Sequence, residues 1–424
     1  MKTERVDILN EARTLFKKIK KISSLDLPEK GRSLNKAVPW RRNGHAPVHL
    51  LHQMVSRVGG FPPQLPRYFI RRFSKVGDIV CDPFCGKGTS LLEAVAEGRK
   101  ALGCDIGPEA IIISRAKTNW PRVEDICLYV EKLPTSGITK NVPKDVKLFY
   151  HPKTLEQILA IREKVFEDML HGRGLRRQLG EFTMGVLLGL LHGKSRLSLS
   201  LPSNHTFAMS PNYVRKYVRE HGLVCPVRDV KNSLLERILM MLPGPRIKEE
   251  ARVFEDLAQR MDFNKKGEWS GNVDLIITSP PYLSRQTYIR DSWLRLWLLG
   301  RDPKMVRRRS LETGNILKFV EAMEKCLSEC LRLLKLEGRC FLVCGTAGSS
   351  LRGKKIKVRI GELVAYAATR AKHKKYMWHI ENYIEDKVTL KRGSYFAVRS
   401  NGDIDNGRRR VSEDDIISLV KVRK

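Results

Sequence analysis

The segment from residue 78 to residue 96 constrains the fold more than any other part of the chain. A short apolar run ends at Asp82, a loop with Gly86 and Gly88 follows, and residues 90–96 have the composition of a helix. A strand, a glycine loop and a helix in this order open the nucleotide-binding type of α/β sheet, with the helix N-terminus directed at the ligand. The sequence therefore predicts an α/β fold with a ligand site at this loop.

The familiar phosphate-binding motifs do not fit this loop. The third glycine of the dinucleotide pattern would fall at Leu91, and the chain has no Gly-x-x-x-x-Gly-Lys-Ser/Thr sequence. Further along, residues 101–105 predict a second strand that ends at Asp105, whose carboxylate can accept hydrogen bonds from ribose hydroxyls. We therefore expect a ribose-containing ligand that is bound without either phosphate motif.

A second motif, Thr-Ser-Pro-Pro-Tyr at residues 278–282, follows another short apolar run. Pro280 and Pro281 lack an amide N–H and fix their own φ angles, so this turn is stiff. Its carbonyls and the Ser279 hydroxyl would face outward as hydrogen-bond acceptors, beside the ring of Tyr282. That arrangement suits a planar ligand with an exocyclic amine, such as a nucleobase. The alternative is an ordinary Pro-Pro turn with Tyr282 packed in the core.

Residues 82–89 and 278–282 together resemble the motifs of the DNA amino-methyltransferases. These enzymes use S-adenosylmethionine to methylate the exocyclic amine of cytosine, at N4, or of adenine, at N6. In that family the first motif holds the cofactor, the strand-terminal acid holds its ribose, and the Pro-Pro-aromatic motif holds a flipped base. The Ser-Pro-Pro-Tyr form resembles the N4-cytosine branch. The resemblance covers residues 45–125 and 250–350.

The resemblance implies a Rossmann-like S-adenosylmethionine-dependent methyltransferase sheet with helices on both faces and a mostly helical inserted domain. The cofactor-binding residues that it implies are Asp82, Pro83, Phe84, Cys85, Gly86, Gly88, Thr89, Asp105 and Asp256. The catalytic residues that it implies are Ser279, Pro280, Pro281 and Tyr282. Asp256 ends a predicted strand at 251–256 and would hydrogen-bond the adenine amine of the cofactor; a surface acid is the alternative.

The chemistry of the reaction suggests roles for the second motif. A nucleobase amine delocalises its lone pair into the ring and is a poor nucleophile. The Ser279 hydroxyl and the Pro280 carbonyl could accept its two N–H groups, which would localise electron density on nitrogen and fix its position. The target atom is inaccessible inside a duplex, so the base must be flipped out, with Tyr282 as a stacking platform.

The charge of the chain is consistent with a polyanionic partner. Its 79 Lys and Arg residues against 46 Asp and Glu give a net charge of +33. Residues 285–310 contain eight Lys or Arg against two acids, and residues 352–375 contain nine against Glu362 alone. Both segments follow the Pro-Pro motif, where a groove for the DNA backbone would be useful. A basic proteome or a merely soluble surface is the alternative explanation.

Helical periodicity between the two motifs predicts an insertion in the sheet. The predicted helices lie at 155–170, 175–191, 230–242 and, after the insertion, 316–335 and 361–371. The predicted parts are a basic N-terminal arm at 1–44, a cofactor-binding half at 45–124, the helical insertion at 125–249 and a catalytic half at 250–424. The polar stretch 194–217 would recognise the DNA target; a helical lid with a Ser-rich loop is the alternative. Because Asp256 follows the insertion, the basic segment after residue 283 could recognise DNA instead.

The cysteine spacing and the distribution of apolar residues bear on metal binding and on cellular location. The nine cysteines form neither a Cys-x-x-Cys pair nor a cluster with zinc-ligand spacing, so we expect reduced, mostly buried thiols and no metal site. We find no signal peptide and no apolar run of 18 residues, and we therefore expect a cytoplasmic protein that does not associate with a membrane.

The sequence thus predicts an enzyme that methylates the N4 amine of cytosine in double-stranded DNA by base flipping. A restriction–modification setting is expected, with a cognate restriction endonuclease that acts on the same site as a partner. The alternatives are N6-adenine methylation by the same fold, methylation of RNA, and a catalytically silent DNA-binding protein.

Overall fold

The computed structural model describes most of the chain. The described residues are 7–14, 49–55, 61–137, 141–193, 195–202, 210–242, 249–262, 268–281, 283, 288–311, 313–351, 354–390 and 410–424. Within them, seven strands form a mostly parallel sheet and a separate pair of strands forms a hairpin. The α/β class that the sequence predicts is confirmed.

The strands follow a reversing order across the sheet, β3-β2-β1-β4-β5-β9-β8, and β6 pairs with β7 outside it. Their bounds are β1 Ile79–Asp82, β2 Lys100–Asp105, β3 Ala251–Glu255, β4 Val273–Thr278, β5 Leu334–Cys344, β6 Thr346–Leu351, β7 Lys354–Arg359, β8 Tyr376–Leu390 and β9 Arg410–Arg423. β1 to β5 pair in parallel, whereas β9 runs antiparallel to both β5 and β8.

Helices occupy most of the chain between the strands. Their bounds are α1 over residues 7–14, α2 Gln64–Phe73, α3 Thr89–Ala96, α4 Pro108–Thr118, α5 Val123–Glu131, α6 Lys144–Lys147, α7 Pro152–His171, α8 Leu175–Leu190, α9 Pro211–His221, α10 Val230–Met241, α11 Tyr288–Asp291, α12 Trp293–Leu298, α13 Pro303–Arg309, α14 Ile316–Leu333 and α15 Ile360–Arg370. A short 3-10 helix, Leu50–Gln53, precedes α2.

The order of the strands reverses between β1 and β4. Val80 on β1 lies opposite Ala101 of β2 on one side and opposite Leu275 of β4 on the other. The chain builds the sheet outward from β1 to β3 and then returns to continue from β4. In open α/β sheets, ligands bind in the crevice at the carboxyl ends of the strands at such a reversal. The loops after β1 and β4 therefore flank the expected site.

Alternating side chains divide the apolar residues of the sheet between its two faces. Val80 and Ile277 point into a core that also contains helices α2, α3 and α4. Cys81 and Ile276 point into a second core, which is covered by α14 and α15. Successive side chains of a strand point to opposite faces, so the buried sheet has an apolar surface on each face. Helices cover both surfaces, as predicted.

The chain between α4 and β3 is mostly helical, in agreement with the prediction of a helical insertion. Phe182 on α8 and Ile238 on α10 are fully buried in the same core as Val80 of the sheet. Polar contacts also link these helices, since the Tyr129 hydroxyl donates to Asp168 at 2.7 Å. The helices of the insertion thus share one core with a face of the sheet. The boundaries that we predicted for the parts of the chain stay predictions.

Residues near both ends of the chain belong to the folded core. Leu9 and Ala12 on α1 are buried in the core, and the Tyr366 hydroxyl donates to Glu11 at 2.7 Å. Residues 7–14 therefore form a packed helix, and the basic N-terminal arm at 1–44 stays a prediction. β9 was not predicted, although it is the strand that joins β8 to the sheet.

The cysteines are reduced, and most of them are buried. Cys81, Cys85, Cys104, Cys326, Cys330, Cys340 and Cys344 are buried, and Cys127 and Cys225 are partly exposed. Among the described residues, no group of three or more His, Cys, Asp or Glu side chains is arranged to hold a metal ion. None of the helices in this part of the chain is long and apolar enough to cross a membrane.

Candidate active site

A pocket opens at the carboxyl ends of β1, β2 and β4, and residues of both sequence motifs line it. The predicted site residues in its wall are Asp82, Pro83, Phe84, Cys85, Gly86, Thr89, Asp105, Asp256, Ser279, Pro280 and Pro281. Gly88 is buried immediately before α3 and is not among the residues of this wall, and Tyr282 lies outside the described residues. The expectation that the two motifs converge on a single cleft is confirmed for the described part of each motif.

Asp82 connects the two motifs directly. Its carboxylate is buried at the end of β1, and Oδ1 accepts a hydrogen bond from the Thr278 hydroxyl, at the end of β4, at 2.6 Å. Oδ1 also accepts from the Phe84 amide at 3.1 Å, and Oδ2 accepts from the Ser90 hydroxyl at 2.5 Å. One side chain therefore ties together the first motif, the start of α3 and the residue before Ser279.

Burial makes the charge of Asp82 sensitive to pH. Loss of solvent raises the pKa of this carboxyl to about 6, although the hydrogen bonds from Ser90 and Thr278 act in the opposite direction. The wall of the pocket therefore gains a negative charge as the pH rises through this value.

The glycine loop is held by Asp105, which ends the neighbouring strand. The amides of Gly86 and Gly107 donate to the two oxygens of its carboxylate at 2.9 and 2.8 Å. Gly88 has a φ angle of 70°, in the left-handed region, and an added Cβ would lie 2.7 Å from Ser114 Oγ. Gly88 thus lets α3 begin close to α4 and supports the pocket through the backbone.

A buried lysine also supports this loop. The side chain of Lys117 on α4 is fully buried, and its amine donates to the Lys87 carbonyl at 2.9 Å. Burial lowers the pKa of the Lys117 amine well below its ordinary value, and the nearby charge of Lys87 acts in the same direction. The role of Lys117 was not expected from the sequence, because a lysine within a helical pattern is normally on the exposed face.

The Ser-Pro-Pro turn follows the anchored Thr278 without a break. Ser279 is partly exposed and Pro280 is buried, and both side chains line the pocket that Gly86 and Asp105 also line. The Ser279 hydroxyl can therefore take part in a contact with a ligand.

A basic helix that follows the Ser-Pro-Pro turn in the chain also reaches the pocket. In α13, Val306 and Arg309 line the pocket, as does Ser310 just after it. Asp302 caps this helix by accepting from the Lys304 amide at 2.8 Å, and Pro303 occupies its first position. The basic run is visible in the sequence, but no sequence pattern indicates that it reaches the pocket.

Part of the chain is similar to known DNA methyltransferases. The family described as DNA methylase, which comprises N6 and N4 methyltransferases, matches residues 32–116. This part of the chain, which contains the first motif, is thus similar to the DNA amino-methyltransferases. The Type II methyltransferase M.MjaII of Methanocaldococcus jannaschii is 44% identical over 70 residues, which are 16% of this chain and 13% of that protein. M.MjaI of the same organism is 44% identical over 67 residues, 16% of this chain and 22% of that protein.

The alignment with these curated relatives covers less than a quarter of their length. The family match at residues 32–116 includes the first motif but not the second. Among solved structures, TrmN from Thermus thermophilus aligns with 88% of this chain and 52% of its own, at 11% sequence identity and a TM-score of 0.32. A TM-score of this size carries no argument about function.

S-adenosylmethionine is the cofactor of this family, and the chemistry of the pocket fits it. Acceptor groups from Asp105 and Asp256 line the pocket together with the apolar side chains of Phe84 and Leu257. The Thr89 hydroxyl oxygen is buried in this wall and has no hydrogen-bond partner within the described ranges. Hydroxyl and amine donors on a partly apolar nucleoside would satisfy such a surface.

Proposed function

We propose that this protein transfers a methyl group from S-adenosylmethionine to the N4 amine of cytosine in double-stranded DNA. The observation that supports this most is the position of Ser279 and Pro280, which line the same pocket as Gly86 and Asp105. A cofactor held at the glycine loop and a base held at the Ser-Pro-Pro turn would share one cleft. The family relationship supports the same chemistry.

The Ser-Pro-Pro turn would activate the amine by accepting hydrogen bonds. The Ser279 hydroxyl and the Pro280 carbonyl would each accept one N–H group of the cytosine amine, which would localise its lone pair. Thr278 would hold this turn in place through its 2.6 Å bond to Asp82. Positioning and charge stabilisation then account for the rate, and no covalent bond between the protein and the base is needed.

The cofactor side of the pocket would be formed by the residues of the first motif. S-adenosylmethionine supplies an electrophilic methyl group. Asp105 would accept from its ribose, Asp256 would accept from its adenine amine, and residues 82–89 would surround the rest. Asp256 is buried just after β3, and its Oδ1 accepts from the Leu257 amide at 2.7 Å and from the Arg260 guanidinium at 3.4 Å. These contacts place its carboxylate at the wall of the pocket.

The base must leave the duplex to reach this pocket. The N4 amine takes part in base pairing and is shielded within the helix, so the cytosine would be flipped out. Tyr282, which lies outside the described residues, would stack on the flipped ring.

The DNA backbone would lie along α13. Lys304, Arg307, Arg308 and Arg309 of this helix are exposed, and Arg309 lines the pocket. Phosphate contacts position a duplex without reading its sequence. The proximity of α13 to the pocket supports a role in DNA binding for the segment after residue 283, whereas residues 194–217 of the insertion would contribute to target recognition.

Product analysis tests the proposed reaction. The purified protein would be incubated with radiolabelled S-adenosylmethionine and unmethylated genomic DNA, which would then be digested to nucleosides and separated. We expect label in N4-methylcytosine. Label in N6-methyladenine would assign the protein to the other branch of the family, and preference for RNA in a competition assay would overturn the DNA substrate. Binding of DNA without consumption of the cofactor would indicate a silent binding protein.

A restriction–modification setting is part of the same proposal. The similarity to Type II methyltransferases supports it. The partner would be a restriction endonuclease that cuts the same site when it is unmethylated. Sequencing of genomic DNA with modification detection, in cells with and without this gene, would identify the methylated site and allow cleavage at that site to be tested.

A further inference from the structure

Glu109, at the second position of α4, is a buried acid inside the pocket that the sequence analysis did not single out. Its side chain lines the pocket and is only 4% exposed. Its Oε2 atom is buried without a hydrogen-bond partner in the part of the chain that the structure describes. A buried carboxylate oxygen without a donor is energetically unfavourable, so a ligand that donates a hydrogen bond there would gain affinity.

Glu109 shares a small space with Asp105. An ideal Cβ placed on Gly107 would lie 3.0 Å from Glu109 Oε2 and 3.2 Å from Asp105 Oδ1. A side chain at position 107 would therefore press against both carboxylates. Glycine keeps the space between the two acids open, and each acid directs an oxygen toward it.

The two acids differ in the acceptor capacity that they have left. Each oxygen of Asp105 already accepts a backbone amide, from Gly86 at 2.9 Å or from Gly107 at 2.8 Å. Glu109 Oε2 accepts none from the described residues. A ligand with two adjacent hydroxyl donors would be matched by two acceptors on neighbouring carboxylates.

We propose that Glu109 accepts a hydrogen bond from one hydroxyl of the cofactor ribose while Asp105 accepts from the other. Glu109 is then a cofactor-binding residue, and the pair of acids selects a ligand with an intact vicinal diol. This inference rests on the proposed function, because it requires an adenosyl cofactor in the pocket.

Another explanation is that Glu109 only stabilises its helix. An acid in the first turn interacts favourably with the helix dipole. Glu124 provides a matched comparison, because it occupies the same second position of α5, is exposed, and is not among the pocket residues. A role confined to the helix predicts similar behaviour for both acids, whereas cofactor binding predicts an effect of Glu109 alone.

Calorimetric binding of S-adenosylhomocysteine and of its 2′-deoxy and 3′-deoxy analogues tests the proposal. We expect Glu109→Gln to weaken binding of the intact ligand about tenfold or more, as expected when a hydrogen bond to a charged group is lost. With one of the two deoxy analogues, the loss of affinity caused by Glu109→Gln should shrink to about twofold or less. That analogue lacks the hydroxyl whose hydrogen bond Glu109 accepts. Glu124→Gln should bind all three ligands like the wild type.

Three outcomes would overturn the inference. The first is unchanged binding of the intact ligand by Glu109→Gln, and the second is an equal loss of affinity for all three ligands. The third is a lower melting temperature of the ligand-free variant, combined with the same rise in melting temperature on ligand addition as in the wild type. Glu109→Ala provides a second variant if the amide retains a contact. Failure of the wild type to bind S-adenosylhomocysteine at all would instead overturn the proposed function.

Discussion

Replacement of Thr278 by valine should weaken the link between the two motifs without changing the shape of the side chain. The variant loses the hydroxyl that donates to Asp82 Oδ1 at 2.6 Å. The Ser90 hydroxyl and the Phe84 amide would remain as donors to this carboxylate. A hydrogen bond to a charged group contributes about 1.5–3 kcal/mol, so we expect a loss of about 2 kcal/mol in the free energy of unfolding above pH 7.

The loss should depend on pH because Asp82 titrates near pH 6. Its pKa is raised from 3.8 to about 6 by burial, so between these values the native protein binds more protons than the unfolded chain. The stability that Asp82 contributes is therefore present below pH 4 and is lost as the pH rises through about 6. Removal of the Thr278 donor raises the pKa of Asp82 further. The cost of Thr278→Val should thus be smaller at pH 5, where the carboxyl is mostly protonated.

Urea denaturation of the wild type, Thr278→Val and Thr278→Ser at pH 5 and pH 8 measures this effect. The serine variant retains the hydroxyl and controls for the methyl group. We expect Thr278→Val to lose about 2 kcal/mol at pH 8 and about half of that at pH 5, with Thr278→Ser closer to the wild type at both. Equal stability of Thr278→Val and the wild type at pH 8 would refute the reasoning. An equal loss at both pH values would show that packing, rather than the charged hydrogen bond, is responsible.

Three further substitutions test other parts of the site. Gly88→Ala should lower the free energy of unfolding by about 1–3 kcal/mol, measured by thermal or urea denaturation, because residue 88 has a left-handed backbone and the new Cβ would lie 2.7 Å from Ser114 Oγ. Stability equal to that of the wild type would contradict this. Ser279→Ala should reduce kcat about a hundredfold while calorimetry shows unchanged binding of S-adenosylhomocysteine; weakened binding with normal kcat would reverse the assigned role. Arg308→Gln should reduce the slope of log K against log salt for duplex DNA by about 0.9, whereas an unchanged slope would remove α13 from the DNA interface.

Features that depend on neighbouring residues could be predicted from the sequence. The strand, glycine loop and helix around Gly86 lie within one short segment, and the two prolines after Ser279 restrict the backbone wherever they occur. The convergence of the two motifs was expected from the family resemblance, and the pocket confirms it for the described residues.

Features that depend on distant parts of the chain could not be predicted. The bond between Thr278 and Asp82 joins residues 196 positions apart. The burial of Glu109 and Lys117 follows from the packing of α4 against the sheet and the insertion, and no local pattern distinguishes these residues from exposed ones. β9 was missed because its segment is highly charged at its start, yet residues 415–420 are buried between β5 and β8.

Nucleoside analysis of DNA methylated by the purified wild-type protein and by Ser279→Ala tests the central claim most directly. The account predicts N4-methylcytosine as the product of the wild type and a strongly reduced yield with Ser279→Ala at equal cofactor binding. Transfer of label to N6-methyladenine would contradict the assignment to cytosine. An undiminished yield from Ser279→Ala would contradict the claim that the Ser-Pro-Pro turn holds the reacting amine.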